Sequence, residues 1–169
     1  IKGLGGIRPV AGVYIRPLLC MERAEIEAYL KEQEILYCED ATNASDDYTR
    51  NRIRNHVIPY MEQEVNAKTV SHISETMLQL QEIQIFLDEQ TKKCFEMCVK
   101  EQKNGYLVVE ESFMELPNVL KPLVLKEVLV RISQKEKDLE EIHLQTLLAL
   151  FEKQVGRRVD LPYDMEGKR

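Results

Sequence analysis

Apolar residues recur at every third or fourth position along much of this chain, and the longest such run lies in its middle. Val70, Ile73, Met77, Leu80, Ile83 and Leu87 form one stripe that continues through Cys94 and Cys98. That period belongs to an amphipathic helix. With Asn66 as its cap, the spacing predicts a helix over 66–102, long enough to be the backbone of a bundle, with the stripe as core. The same period predicts helices over 22–33, where Ile26, Tyr29 and Leu30 align, and over 49–64, 118–133 and 139–154. Pro59 falls inside the second of these. A proline there loses a hydrogen bond and clashes with the preceding turn, so a kink or break is expected.

Between the helices the pattern changes. Residues 3–12 read as a glycine-rich loop. Residues 14–19 read as extended, with Pro17 pushing Arg16 away from helical geometry. A short extended piece over 35–38 leads into 39–48, whose Asp, Asn, Ser and Thr mark a loop and capping region. Asn104-Gly105 is a turn signal, and 106–110 is rich in β-formers, either a single strand or part of a small hairpin. The charged stretch 134–138 reads as an exposed connector, and after Gly156 residues 158–163 read as a strand. The architecture is therefore mainly α.

Composition narrows the class. Of 169 residues, 44% are hydrophobic and 31% charged, a globular balance that can supply a helical core. No apolar run reaches membrane length and no signal segment is visible. The four cysteines, Cys20, Cys38, Cys94 and Cys98, make no C-x-x-C pair. Cys94 and Cys98 share a helix face and read as small buried hydrophobes rather than a metal pair. A reducing, cytoplasmic location is expected, where the acceptor pattern Asn43-Ala44-Ser45 is never glycosylated. The chain starts at Ile1 and stops soon after Gly167, and both ends are expected to be cut.

The net charge of −6 argues against nucleic-acid binding by the surface as a whole. Its distribution points the other way. Residues 1–16 carry Lys2, Arg8 and Arg16 and no acid, and Arg50, Arg52 and Arg54 follow in one short window. An acidic chain with local basic patches suits a protein that holds RNA at one face.

Two constellations carry candidate chemistry. In Gly3-Leu4-Gly5-Gly6-Ile7-Arg8-Pro9, glycines allow close approach of backbone to a ligand, and the N–H groups of such a loop can hold phosphate oxygens. An ordinary flexible loop fits the spacing as well. In the second, Tyr37 to Asn43 precedes Tyr48-Thr49-Arg50-Asn51-Arg52-Ile53-Arg54. Helical spacing puts Arg50 and Arg54 on one side, near the arc of Ile53, Val57 and Met61, while Arg52 points away. Arg50 and Arg54 either pair with Asp40 or Glu39 and tie loop to helix, or present guanidinium groups to phosphate. His56, His72 and His143 stand without a nucleophile or carboxylate motif. Neither a catalytic residue nor a metal ligand is assigned in the chain.

Order and spacing extend this into a signature. Gly3-Leu4-x-Gly6-Ile7-x-Pro9, Ile15-Arg16-Pro17-Leu18-Leu19, Glu25-Ile26-x-x-Tyr29-Leu30, Tyr37-x-Glu39-Asp40-x-Thr42-Asn43 and Thr49-Arg50-Asn51-x-Ile53-Arg54 with Pro59 resemble the tRNA(Ile)-lysidine synthase family. Thr42 departs from the family's usual Ser. The resemblance is looser over 66–155, and Leu161-Pro162 looks like the opening of a C-terminal domain.

The resemblance implies a fold and a function. Residues 1–58 would be the C-terminal remnant of an α/β PP-loop catalytic domain, 59–155 a helical tRNA-binding domain, and 156–169 a short β stub beginning a further domain. The family adenylates the wobble cytidine of a minor isoleucine tRNA with ATP and Mg, and free lysine then displaces AMP. The partners implied are tRNA, lysine and ATP, with no membrane, and a homodimer is compatible with the chain. Substrate contacts would come from Gly3, Gly6 and Arg8, from Asp40 and Asn43, and from Arg50, Asn51, Arg52 and Arg54. The family's ATP loop, Ser-Gly-Gly-x-Asp-Ser, does not occur in this sequence, so the chain alone is expected to hold no cofactor and to be inactive. Two rivals remain at this stage: a helical protein-interaction module without RNA contact, and a tRNA-thiolating PP-loop relative, though such relatives often carry further cysteine motifs.

Overall fold

A computed structural model describes residues 3–38, 45–102 and 107–169. The chain divides into two compact units, Ile1–Ile83 and Gln84–Arg169. The described residues are mostly helical, with three small antiparallel strand pairs.

In the first unit, β1 (Val10–Ala11) pairs with β2 (Tyr14–Ile15), and Gly12 supplies the positive φ of +59° at the first position of the two-residue turn. The expected extended run ends early, because Pro17–Cys20 forms a 3-10 turn with proline at its start, where fixed φ suits a helical turn. Helix α1 (Arg23–Glu32) matches its expected span. Its start is set by a capping box in which the Glu22 N–H donates to Glu25 Oε2 at 2.7 Å.

Residues 49–65 keep a helical path past Pro59, neither breaking nor staying α-helical. They run as α2 (Thr49–Arg52), a π-turn at Ile53–Val57, α3 (Ile58–Tyr60) and a second π-turn at Met61–Val65. Ile58 N donates to Ile53 O and Asn66 N to Met61 O, each one residue further back than in an α-helix. Proline has no N–H to give, and these looser turns on either side carry the chain past it. Asn66 then caps the next helix through its side chain, accepting from Lys68 N at 2.8 Å.

Helix α4 (Thr69–Cys98) is 30 residues long. Its first half corrects the expectation of a buried stripe. Val70, Ile73 and Ile83 are exposed at 38%, 47% and 47%, and Met77 and Leu80 are only half-buried. Period gives a helix its apolar face, but burial also needs a facing layer. Here the described contacts on that face come from the thin glycine loop.

The second unit holds the core. Cys98, Phe113, Val124 and Leu125 are almost fully buried, and the Phe113 and Phe151 rings stack with centroids 4.8 Å apart. Residues 99–101, expected to end the long helix, instead form β3 (Val99–Glu101), which pairs with β4 (Leu107–Val109) as a hairpin. A 3-10 turn at Glu111–Glu115 delivers Phe113 inward. Helix α5 (Lys121–Ser133) ends on Gln134 in the left-handed region. Helix α6 (Glu141–Leu150) starts with Glu140 N donating to His143 Nδ1. Strands β5 (Arg158–Leu161) and β6 (Met165–Lys168) form a last hairpin. Their alternation is regular: Leu161 and Met165 are buried, while Arg158 and Glu166 pair on the outer face at 3.1 Å. A Cβ on Gly167 would come within 2.6 Å of Leu147, so glycine lets β6 lie close on α6.

No helix of the described residues is long and apolar enough to cross a membrane, and no group of His, Cys, Asp and Glu among them could hold a metal.

Candidate nucleic-acid interface

The arginine segment is built on the irregular helix of the first unit. Its entry is clasped from the side by the residues just before it. Asn51, buried against the turn, donates its amide to Ser45 O at 2.8 Å. Asn55 Nδ2 donates to Asp46 Oδ1 at 3.2 Å, and His56 Nε2 lies 2.6 Å from Asp46 Oδ2. The His56 hydrogen bond, then that of Asn55, holds the Asp46 carboxyl below the ordinary carboxylate value. The clasp orders the segment and leaves the arginines outside it.

Arg50, Arg52 and Arg54 are all exposed. Arg52 donates to Thr49 Oγ1 at 3.1 Å. Among the described residues, neither Arg50 nor Arg54 forms an ion pair. The expected carboxylate partners Glu39 and Asp40, together with Asn43, lie outside the described residues, as does Lys2. The segment therefore presents three guanidinium groups to solvent on one helical stretch, an arrangement suited to contacting phosphate.

The glycine loop forms the second element. Gly3 has open space around its Cα. Gly6 takes a left-handed φ of +65° that only glycine adopts readily, and it rests on the Met77 side chain. Gln81 Nε2 donates to Gly5 O at 2.6 Å. Arg8 is exposed, with its carbonyl accepting from Arg16 Nη1 at 3.1 Å. The structure thus joins Gly6 to α4 and gathers Asn51 with the three arginines on the 49–57 helix.

Two partners were not legible in sequence. Gln81 stands in a Gln- and Glu-rich stretch of the helix, and its four-residue spacing from Met77 is its only signal. His56 looked isolated, yet it pairs with Asp46. Elsewhere, a cleft of about 1040 Å³ in the second unit is lined by core residues such as Leu125, Leu129 and Leu147 and contains none of the candidate residues.

Comparison with known proteins adds to this geometry. Residues 1–61 match the PP-loop domain family. Over 163 residues, 95% of this chain, it is 33% identical to the tRNA(Ile)-lysidine synthase of Clostridium perfringens, covering 34% of that protein. It is 34% identical to that of Geobacillus kaustophilus over 169 aligned positions, covering 95% of this chain and 36% of the relative. Similarity to the Solibacter usitatus protein of the same name reaches 49% over 75 residues, 44% of this chain and 17% of the relative. The chain spans about a third of the length of the curated relatives it matches along most of its own length.

Proposed function

Given that this chain is a relative of the tRNA(Ile)-lysidine synthases and carries PP-loop sequence at residues 1–61, we propose that it serves in ATP-dependent ligation of lysine to the wobble cytidine of an isoleucine tRNA. The single observation carrying this reading is alignment at a third identity along 95% of the chain, which is far broader than any one motif.

The reaction has two steps. ATP transfers AMP to the ring carbonyl oxygen of the cytidine and releases pyrophosphate. The lysine amine then forms a C–N bond at that carbon, loses a proton, and AMP departs with the oxygen. Adenylation turns a poor leaving oxygen into a good one, and positioning supplies much of the remainder. ATP with Mg enters with the nucleotide-binding part of the enzyme. This chain's contribution is the grip on RNA and one wall of the site. Arg50, Arg52 and Arg54 meet phosphate, the loop of Gly3, Gly6 and Arg8 approaches substrate closely, and Asp40 and Asn43 supply further polar contacts to substrate. In this reading 1–58 closes the PP-loop domain, 59–155 is the tRNA-binding domain, 156–169 opens a further domain, and the setting is cytoplasmic.

The test is transfer of labelled lysine into isoleucine tRNA by the full-length protein with ATP and Mg. Lysine incorporation that requires ATP and the wobble cytidine is expected. Incorporation of sulfur instead of lysine, or RNA that stays unmodified, overturns the proposal.

A further inference from the structure

We propose that Gln81 and Met77 of α4 are positioning residues that seat the glycine loop 3–9 for substrate. This deepens, and rests on, the reading of that loop as a substrate contact. Gly5 is the only buried residue among the described residues 3–38, so it marks the point at which the loop is fastened inward. The anchor is built from α4. Gln81 Nε2 donates to Gly5 O at 2.6 Å across a separation of 76 residues. One turn earlier on the same helix face, the Met77 methyl lies against Gly6, where a Cβ would come within 2.1 Å of it.

The bond also fixes a direction. In a trans peptide the C=O and the following N–H point opposite ways. With Gly5 O held by Gln81, the Gly6 N–H is turned away from α4, back into the loop's own turn over residues 3–5. The left-handed φ of +65° at Gly6 favours glycine there, and a Cβ would have to push the Met77 methyl aside.

The experiment uses the full-length protein with Gln81→Leu, which removes the donor but keeps bulk, and Gln81→Lys, which restores a donor. Hydrogen exchange of amides 3–9 reports seating, and KM for tRNA and ATP against kcat reports function. Gln81→Leu is expected to speed loop exchange and raise one of these KM values, each about three- to tenfold, the scale of removing one hydrogen bond. Gln81→Lys should recover both. An independent measure is the cycle of Gly6→Ala with Met77→Ala, in which the double variant should lose less than the sum of the singles. Unchanged exchange in Gln81→Leu, or additivity in the cycle, overturns the anchor. Faster exchange with every KM unchanged overturns the positioning role. The two readings fail separately: a wild-type protein that transfers no lysine sinks the functional reading, while loop exchange still decides the anchor.

Discussion

At the scale of single residues, the arginine segment depends on an exposed hydrogen-bonded cluster rather than on apolar packing. Asp46 accepts from Asn55 and from His56, and Asn51 holds Ser45, so three side chains of the helix fasten the turn before it. Because hydrogen bonds from His56 and Asn55 lower the Asp46 pKa in the folded state, their contribution is complete above the unfolded carboxylate value. It is lost as pH falls through the lower folded value. Acid should therefore loosen residues 45–56 through Asp46. Carbon-detected titration of the Asp46 carboxyl is expected to show a midpoint below the ordinary carboxylate value, raised more by His56→Ala than by Asn55→Ala. A midpoint at the ordinary value with both partners present would show that the clasp does not form in solution. Cys98 shows the opposite environment: its thiol donates to Cys94 O at 2.8 Å, and burial pushes its pKa up, as suits an inert core thiol.

At the scale of elements, α4 separates what periodicity fixes from what it leaves open. Its first half has the apolar spacing of a core helix but lies largely exposed, while Cys94, Phe95 and Cys98 in its second half are buried. Substitution should register the difference. Leu125→Ala, at a site 2% exposed, is expected to cost about 2–5 kcal/mol in chemical denaturation. Ile73→Ala, at 47% exposure, should stay within about 0.5 kcal/mol. Equal losses at the two sites would mean that Ile73 is covered in solution. The helices α1, α5 and α6 and the strand β5 were legible from sequence because each joins its period or β-rich composition to a cap or turn signal. Strand β3 was not, since Val99 continues the apolar spacing of α4 and only pairing with β4 makes it a strand. Strand β6, Met165–Lys168, has one large apolar residue and a glycine, so its identity comes from β5 and from the fit of Gly167 on Leu147. In the candidate site the exposed arginines were readable as a charge pattern. The anchor of Gly5 on Gln81 was not, because a contact across 76 residues leaves no local trace.

At the scale of the whole molecule, a chain with a net charge of −6 must bind a polyanion through local fields rather than through its overall charge. The screening length in physiological salt is about 8 Å, so distant acids count for little beside three guanidinium groups held within one helical segment. Arg50 and Arg54 give the cleanest test, since neither forms an ion pair among the described residues, whereas Arg52 also holds Thr49. Arg50→Ala with Arg54→Ala in the full-length protein should weaken tRNA binding at every salt concentration. It should also flatten the dependence of log K on log salt by roughly 0.7–0.9 for each phosphate no longer neutralised. The unfolding midpoint separates the two roles that sequence left open. If affinity and slope fall while the midpoint holds, the pair meets RNA. If the midpoint falls and the slope is unchanged, the pair ties the helix to the Glu39–Asp40 segment, and RNA binding passes to Arg52 and the glycine loop.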